Sequence, residues 1–133
     1  MDIRTISQDL AVSPQIQPDE LERICARGFR SILCNRPDLE DSEQPAFEAI
    51  AQAARQLGLE VCFQPIIPGE IGACEVAEFR EALERLPAPV LAYCRTGTRS
   101  ATLWARAQSG AGLMTVPEVL DVARRAGYEL QGF

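Results

Sequence analysis

The chain has 133 residues, and its 13 basic and 19 acidic side chains leave a formal net charge of -6. All the basic residues are arginine; histidine and lysine are absent. That excludes a histidine general base, histidine-bound zinc, a lysine Schiff base and the lysine of a nucleotide-binding loop. The acidic balance also speaks against a nucleic-acid partner, which needs a basic face.

The length suits one domain, residues 1–133, and 47% apolar residues suffice for a core without disulfides or metal. Five cysteines, an odd number with no C-x-x-C pair, read as reduced thiols of a cytoplasmic protein. No metal or cofactor is expected. The opening MDIRTISQDL lacks the apolar stretch of a secretory signal, and no apolar run reaches the roughly 20 residues of a membrane span, so no membrane partner is expected.

In chain order, Ile3 to Ser7 and Leu10 to Ser13 read as two short strands around a Gln-Asp turn. Pro18-Asp19-Glu20 opens a helix whose inward stripe is Leu21, Ile24 and Cys25 and whose stop is Gly28. Phe29 to Cys34 is an apolar strand ending at Asn35-Arg36-Pro37, followed by an acidic, solvated loop over 38–44. Phe47, Ile50, Ala54 and Leu57 mark a second helix, and Leu59 to Phe63 the next strand. After a Pro/Gly loop at 65–72, Val76, Phe79, Leu83 and Leu86 line a third helix. Pro89 to Tyr93 is the last strand and delivers Cys94 to a loop before a helix over Ser100 to Gln108, with Trp104 on its apolar stripe. Thr115 to Glu118 fits a capping box for a final helix that runs to Arg125. Strands alternating with helices imply a single α/β domain with a mainly parallel central sheet flanked by helices.

Ligands of open α/β sheets bind beyond the carboxyl ends of the strands, and the most unusual string in the chain falls at such an end: Cys94-Arg95-Thr96-Gly97-Thr98-Arg99-Ser100. A thiol there meets a loop of small residues whose N–H groups can form an anion nest, backed by the following helix's N-terminus. Gly97 lets the backbone turn inward, Arg95 and Arg99 supply cations, and Arg99 can clamp an oxyanion with paired donors. An ordinary cysteine is only about 3% thiolate at pH 7. A neighbouring cation and a helix N-terminus together supply the few kcal/mol that make the ion dominant. Cys94 is therefore the candidate nucleophile without any histidine.

The loop from Tyr93 to Ser100 resembles the C-R-x-G-x-R/T active-site loop of rhodanese-type sulfurtransferases. Nearly the whole chain, through ISQDLAVSPQI, GFRSILCNRP, the Pro-rich loop at 65–72 and the cysteine loop, resembles the phosphatase-like domain of beta-lactamase-hydrolase-like proteins (DUF442). That resemblance implies a dual-specificity-phosphatase-like fold and either cysteine phosphatase or sulfurtransferase activity. Some relatives are fused to a metallo-hydrolase-type sulfur dioxygenase, for which this chain has neither the length nor the histidines.

Cysteine phosphatases carry C-x5-R, whereas Cys94 and Arg99 enclose four residues. The shorter ring favours a single terminal sulfur, and sulfur transfer needs no acid for the leaving group. The first expectation is therefore a rhodanese-like sulfurtransferase. It would form a Cys94 persulfide from a small anionic or low-molecular-weight donor and pass the sulfur to a thiol acceptor. Thr96, Gly97, Thr98 and Ser100 would bind the anion, and Ser100 would hydrogen-bond the sulfur. The alternative is a phosphatase acting on a phosphoester through a Cys94 phosphoenzyme, with Glu70 as its best-placed acid and Asp38 and Asp41 behind it. A third reading is an inactive anion-binding module. Asn35 and Arg36 are candidates for the pocket rim. Cys25, Cys34 and Cys62 read as core, and Cys74, at the start of the third helix, is a weak candidate for a resolving thiol.

Overall fold

The apolar runs pair into one sheet of β1 (Arg4–Thr5), β2 (Leu10–Ser13), β3 (Ser31–Cys34), β4 (Glu60–Phe63) and β5 (Val90–Tyr93), in the spatial order β1-β2-β5-β3-β4. The structure, a computed structural model, describes residues 1–133. β1 runs antiparallel to β2 and every other pairing is parallel, as the alternation of strands and helices implies. Ala92 of β5 sits between Val12 of β2 and Leu33 of β3. A central parallel strand is covered on both faces, which is why β5 reads as unbroken apolar sequence and all four of its residues are buried.

Five helices cover the sheet: α1 (Leu21–Ala26), entered through a 3-10 turn at Pro18–Glu20, α2 (Phe47–Gln56), α3 (Ala73–Arg85), α4 (Thr98–Gly110) and α5 (Val116–Arg125). Successive strand residues face opposite layers. Leu91 and Tyr93 pack with Leu21, Ile24 and Ile50 of α1 and α2. Val90 and Ala92 pack with Phe79, Leu103, Trp104 and Val119 of α3, α4 and α5. Phe79, Leu91 and Leu103 are fully buried, so truncating any one to alanine costs about 2–5 kcal/mol. The predicted capping box is present: Thr115 N–H donates to Glu118 Oε1 (2.9 Å) and Glu118 N–H to Thr115 Oγ1 (3.2 Å).

Two expectations shift. Cys62 lies on the outermost strand, where nothing pairs beyond it; it is only half-buried, and Arg85 Nη2 donates to its sulfur (3.5 Å). Helix α4 begins at Thr98, not at Ser100, because its first turn is polar and escapes apolar periodicity. Gly97, at φ 96°, turns the chain from the end of β5 straight into that helix. No helix is long and apolar enough to cross a membrane.

Candidate functional site

Helices α1 and α2 lie on one face of the sheet and α3, α4 and α5 on the other. Beyond the carboxyl end of β5 the layers part, and there the Cys94 side chain is wholly buried. The loop is anchored on its strand side, where Cys94 N–H donates to Ser13 carbonyl (3.4 Å) and Gln15 N–H to Arg95 carbonyl (3.3 Å). It then curls so that Gly97 N–H donates to Cys94 Sγ at 3.0 Å. A Cβ on Gly97 would run into the hydroxyl and ring of Tyr128, whose Oη donates to Thr96 carbonyl (3.4 Å). The glycine thus serves both the positive φ and the close approach of that ring.

Thr98 N–H is taken up by Thr96 Oγ1 (3.3 Å). The N–H groups of Arg95, Thr96, Arg99 and Ser100 donate to no protein acceptor. Four amide donors beside a buried thiol, at the start of a thirteen-residue helix, are thus left without a protein acceptor, an arrangement able to receive an anion.

Arg99 is held from outside the loop. Its Nη1 donates to Glu40 Oε2 (2.7 Å) and to Ile66 carbonyl (2.8 Å), and its Nη2 to Glu40 Oε1 (2.9 Å). Glu40 is shared: Arg36 Nε donates to its Oε1 (2.9 Å), and Arg36 Nη1 reaches Gln15 Oε1 (3.0 Å). Burial works against the Arg99 charge, but Glu40 and the Cys94 sulfur together hold the guanidinium above its usual value. The Arg99 hydrogen bonds, opposed by burial and aided by Arg36, keep the Glu40 carboxyl below the ordinary carboxylate range. Glu40 is the residue that sequence reasoning missed. It sits in the acidic stretch taken as solvated, yet its side chain is only 21% exposed.

Asn35 and Arg36 are braces, not rim. Asn35 is fully buried, its Nδ2 donates to Gln64 carbonyl (3.1 Å), and its Oδ1 accepts from Ser100 Oγ (2.8 Å). The Ser100 hydroxyl is therefore directed at β3's end and not at the sulfur. Arg36 is buried beneath the Arg99–Glu40 pair. Neither the expected acids nor any other carboxylate lines the cavity beside the loop. Asp38 Oδ1 caps α2 by accepting from Phe47 N–H (2.8 Å), Asp41 Oδ1 accepts from Glu43 N–H (3.0 Å), and Glu70 is exposed. That cavity, of about 410 Å³, is walled by Pro68, Gly69 and Ile71 opposite Arg95, Thr98, Arg99 and Arg106.

Burial pushes the Cys34 thiol up to about 11, as befits a core residue, with its sulfur against the Arg36 carbonyl (3.3 Å). Trp104 is core as expected, Cys25 is half-buried, and Cys74 is exposed in the first turn of α3.

The sequence profile of the beta-lactamase hydrolase-like protein, phosphatase-like domain, matches residues 2–111. A beta-lactamase hydrolase-like protein of Xylella fastidiosa is 35% identical over 130 residues, which cover 98% of this chain and 30% of that protein. The chain thus spans under a third of the length of such relatives. A crystal structure from Neisseria meningitidis, described as a candidate phosphatase, superimposes with a TM-score of 0.91 at 38% identity, covering 98% of this chain and 92% of that one. Tk-PTP in its active form superimposes with a TM-score of 0.77 at 23% identity, over 99% of this chain and 88% of that one, a likeness of fold. The architecture is that of the dual-specificity and tyrosine phosphatases, and these relatives lend no support to the sulfur-transfer expectation.

Proposed function

The chain belongs to the family of phosphatase-like domains of beta-lactamase hydrolase-like proteins, and on that premise we propose that it is a cysteine-dependent phosphatase with Cys94 as nucleophile. The observation that carries this reading is the set of four unpartnered amide donors gathered with Arg99 around the buried Cys94 thiol. A phosphoryl group offers oxygens to such donors from several directions at once, while the Gly97 N–H is already turned to the Cys94 sulfur itself.

The short Cys94–Arg99 spacing no longer argues for sulfur. It would limit the site only if the guanidinium had to fold back within the loop. Arg99 instead lies on the helix, its head fixed by Glu40 and the Ile66 carbonyl. The space for the oxyanion is bounded by amides and not by the residue count.

In the reaction the Cys94 thiolate attacks phosphorus opposite the leaving oxygen. The S–P bond forms as the P–O bond breaks, and the electron pair departs on that oxygen. Loop N–H groups and Arg99 hold the charge spread over the equatorial oxygens. Water then attacks the phosphocysteine, breaking the S–P bond and returning thiolate and orthophosphate. Burial keeps the sulfur from bulk water.

Hydrolysis of an aryl phosphate, with a phosphoryl group trapped on Cys94 by acid quench and seen by mass spectrometry, tests the proposal. Cys94→Ser should lose at least about a thousand-fold in rate. Turnover that survives in Cys94→Ser would sink it. So would a sulfur atom gained from thiosulfate with no phosphoryl gained from the ester. Phosphate binding without turnover would return the site to an anion-binding module.

A further inference from the structure

We propose that the cavity beside Cys94 binds a second phosphate of the substrate through Arg106, aided by Arg95, so that the preferred substrates are small molecules carrying two or more phosphates. The inference rests on the phosphatase reading for the scissile group, but the second site stands on its own geometry.

Arg99, Thr102 and Arg106 follow at i, i+3 and i+7 and therefore share one face of α4. That face is one wall of the cavity. Two turns separate Arg99 from Arg106, about 10 Å along the axis, and a helical side chain leans toward the N-terminus, which brings the Arg106 head back toward the cysteine loop. Thr102 between them has committed its hydroxyl proton to Thr98 carbonyl (2.8 Å), which leaves Arg106 as the donor at that level.

Arg106 is held in place for such a role. Its Nη1 donates to Ile71 carbonyl at 2.7 Å, and its guanidinium lies 5.6 Å from the centre of the Phe133 ring. A guanidinium has five N–H donors, so most remain free for a ligand. Neither Arg106 nor Arg95 has a carboxylate within 4 Å, although the chain carries 19 acids against 13 bases. No acid lines the cavity, while three arginines do. A net charge of -6 repels a polyanion at long range, so the two arginines there without a carboxylate partner, Arg95 and Arg106, are what would capture it, Arg99 being paired with Glu40.

Isothermal titration of the whole chain with inorganic tripolyphosphate and with orthophosphate tests the proposal, the readout being the ratio of the two affinities. The wild type should favour tripolyphosphate at least tenfold. Arg106→Gln should cut that ratio about tenfold, Arg106→Lys less, and Arg95→Gln, at an exposed position that does not threaten folding, about threefold. Arg30→Gln, at the opposite end of the sheet, removes the same charge and should leave the ratio within twofold. Equal affinities in the wild type, an unchanged ratio in both Arg106→Gln and Arg95→Gln, or an equal fall in Arg30→Gln would overturn the second site. A ratio that behaves as expected in a protein with no aryl-phosphate turnover would leave the second site standing and remove the phosphatase reading instead.

Discussion

Glu40 and Arg99 stand 59 positions apart and meet as a two-pronged ion pair, at 2.7 and 2.9 Å, beside the cysteine loop. The carboxylate fixes where the guanidinium can be, and Arg36 beneath fixes the carboxylate. Removing Glu40 leaves two partly buried cations facing each other without a counter-charge, and a hydrogen bond to a charged group is worth about 1.5–3 kcal/mol. Glu40→Ala should therefore destabilise by about 2 kcal/mol in denaturant unfolding and lower kcat/KM on an aryl phosphate by about tenfold to a hundredfold.

The same pair has a defined acid dependence. The folded Glu40 carboxyl lies below its ordinary value of about 4.3, chiefly through the Arg99 hydrogen bonds. A depressed folded value means that the stabilisation is fully present above the unfolded value and is lost as pH falls through the folded one. The stability gap between wild type and Glu40→Gln should be constant from about pH 8 to about pH 5 and close at lower pH. A gap that widened on acidification would contradict an ionised Glu40 in the folded state.

Gly97 is constrained twice, by φ 96° and by Tyr128 packed where a Cβ would go. The left-handed conformation alone costs a non-glycine residue about 1–2 kcal/mol. Gly97→Ala should abolish measurable aryl-phosphate turnover while the rest of the fold survives in circular dichroism. Adding Tyr128→Ala removes the collision but not the backbone cost, so the double variant should recover only part of the rate.

Much of this site is legible in the sequence because it is local. The β5 run, Cys94, Gly97 and the helix after it are contiguous, and apolar alternation followed by small residues reports them directly. Glu40 is illegible for the opposite reason: its decisive partner, Arg99, lies 59 positions away, and in the chain it is one of four acids in a polar loop. Asn35 shows a subtler failure. Its place at a strand end marks it as near the pocket, but only the packed structure shows its amide turned inward to Gln64 and Ser100. Counting residues between Cys94 and Arg99 does not report that the guanidinium is held by Glu40 and the Ile66 carbonyl, a matter of side-chain direction that spacing does not carry.

The buried Asn35–Ser100 bond is separable from the chemistry. Ser100→Ala leaves Asn35 Oδ1 buried and unpaired, at a cost of about 1–3 kcal/mol. Combining it with Asn35→Ala should cost less than the sum of the two single changes, and thermal unfolding of the four proteins measures that coupling. Strict additivity would mean that the two side chains do not share the bond.

The last expectation concerns the leaving group. Departure of an alkoxide needs a proton from a positioned acid, whereas a phenolate of low basicity leaves without one. The cleft beside Cys94 has no carboxylate on its walls: Glu70 points to solvent, Asp38 caps α2, and Glu40 is spent on two arginines. The rate of phosphoenzyme formation should therefore fall steeply as the leaving phenol becomes more basic across a series of substituted aryl phosphates, with alkyl phosphates slowest. Glu70→Gln should leave that slope and the absolute rates within about twofold, a change of under 0.5 kcal/mol in the barrier. A flat dependence on the leaving group that turned steep in Glu70→Gln would show that the Pro/Gly loop closes over the bound ester and brings its carboxyl to the departing oxygen.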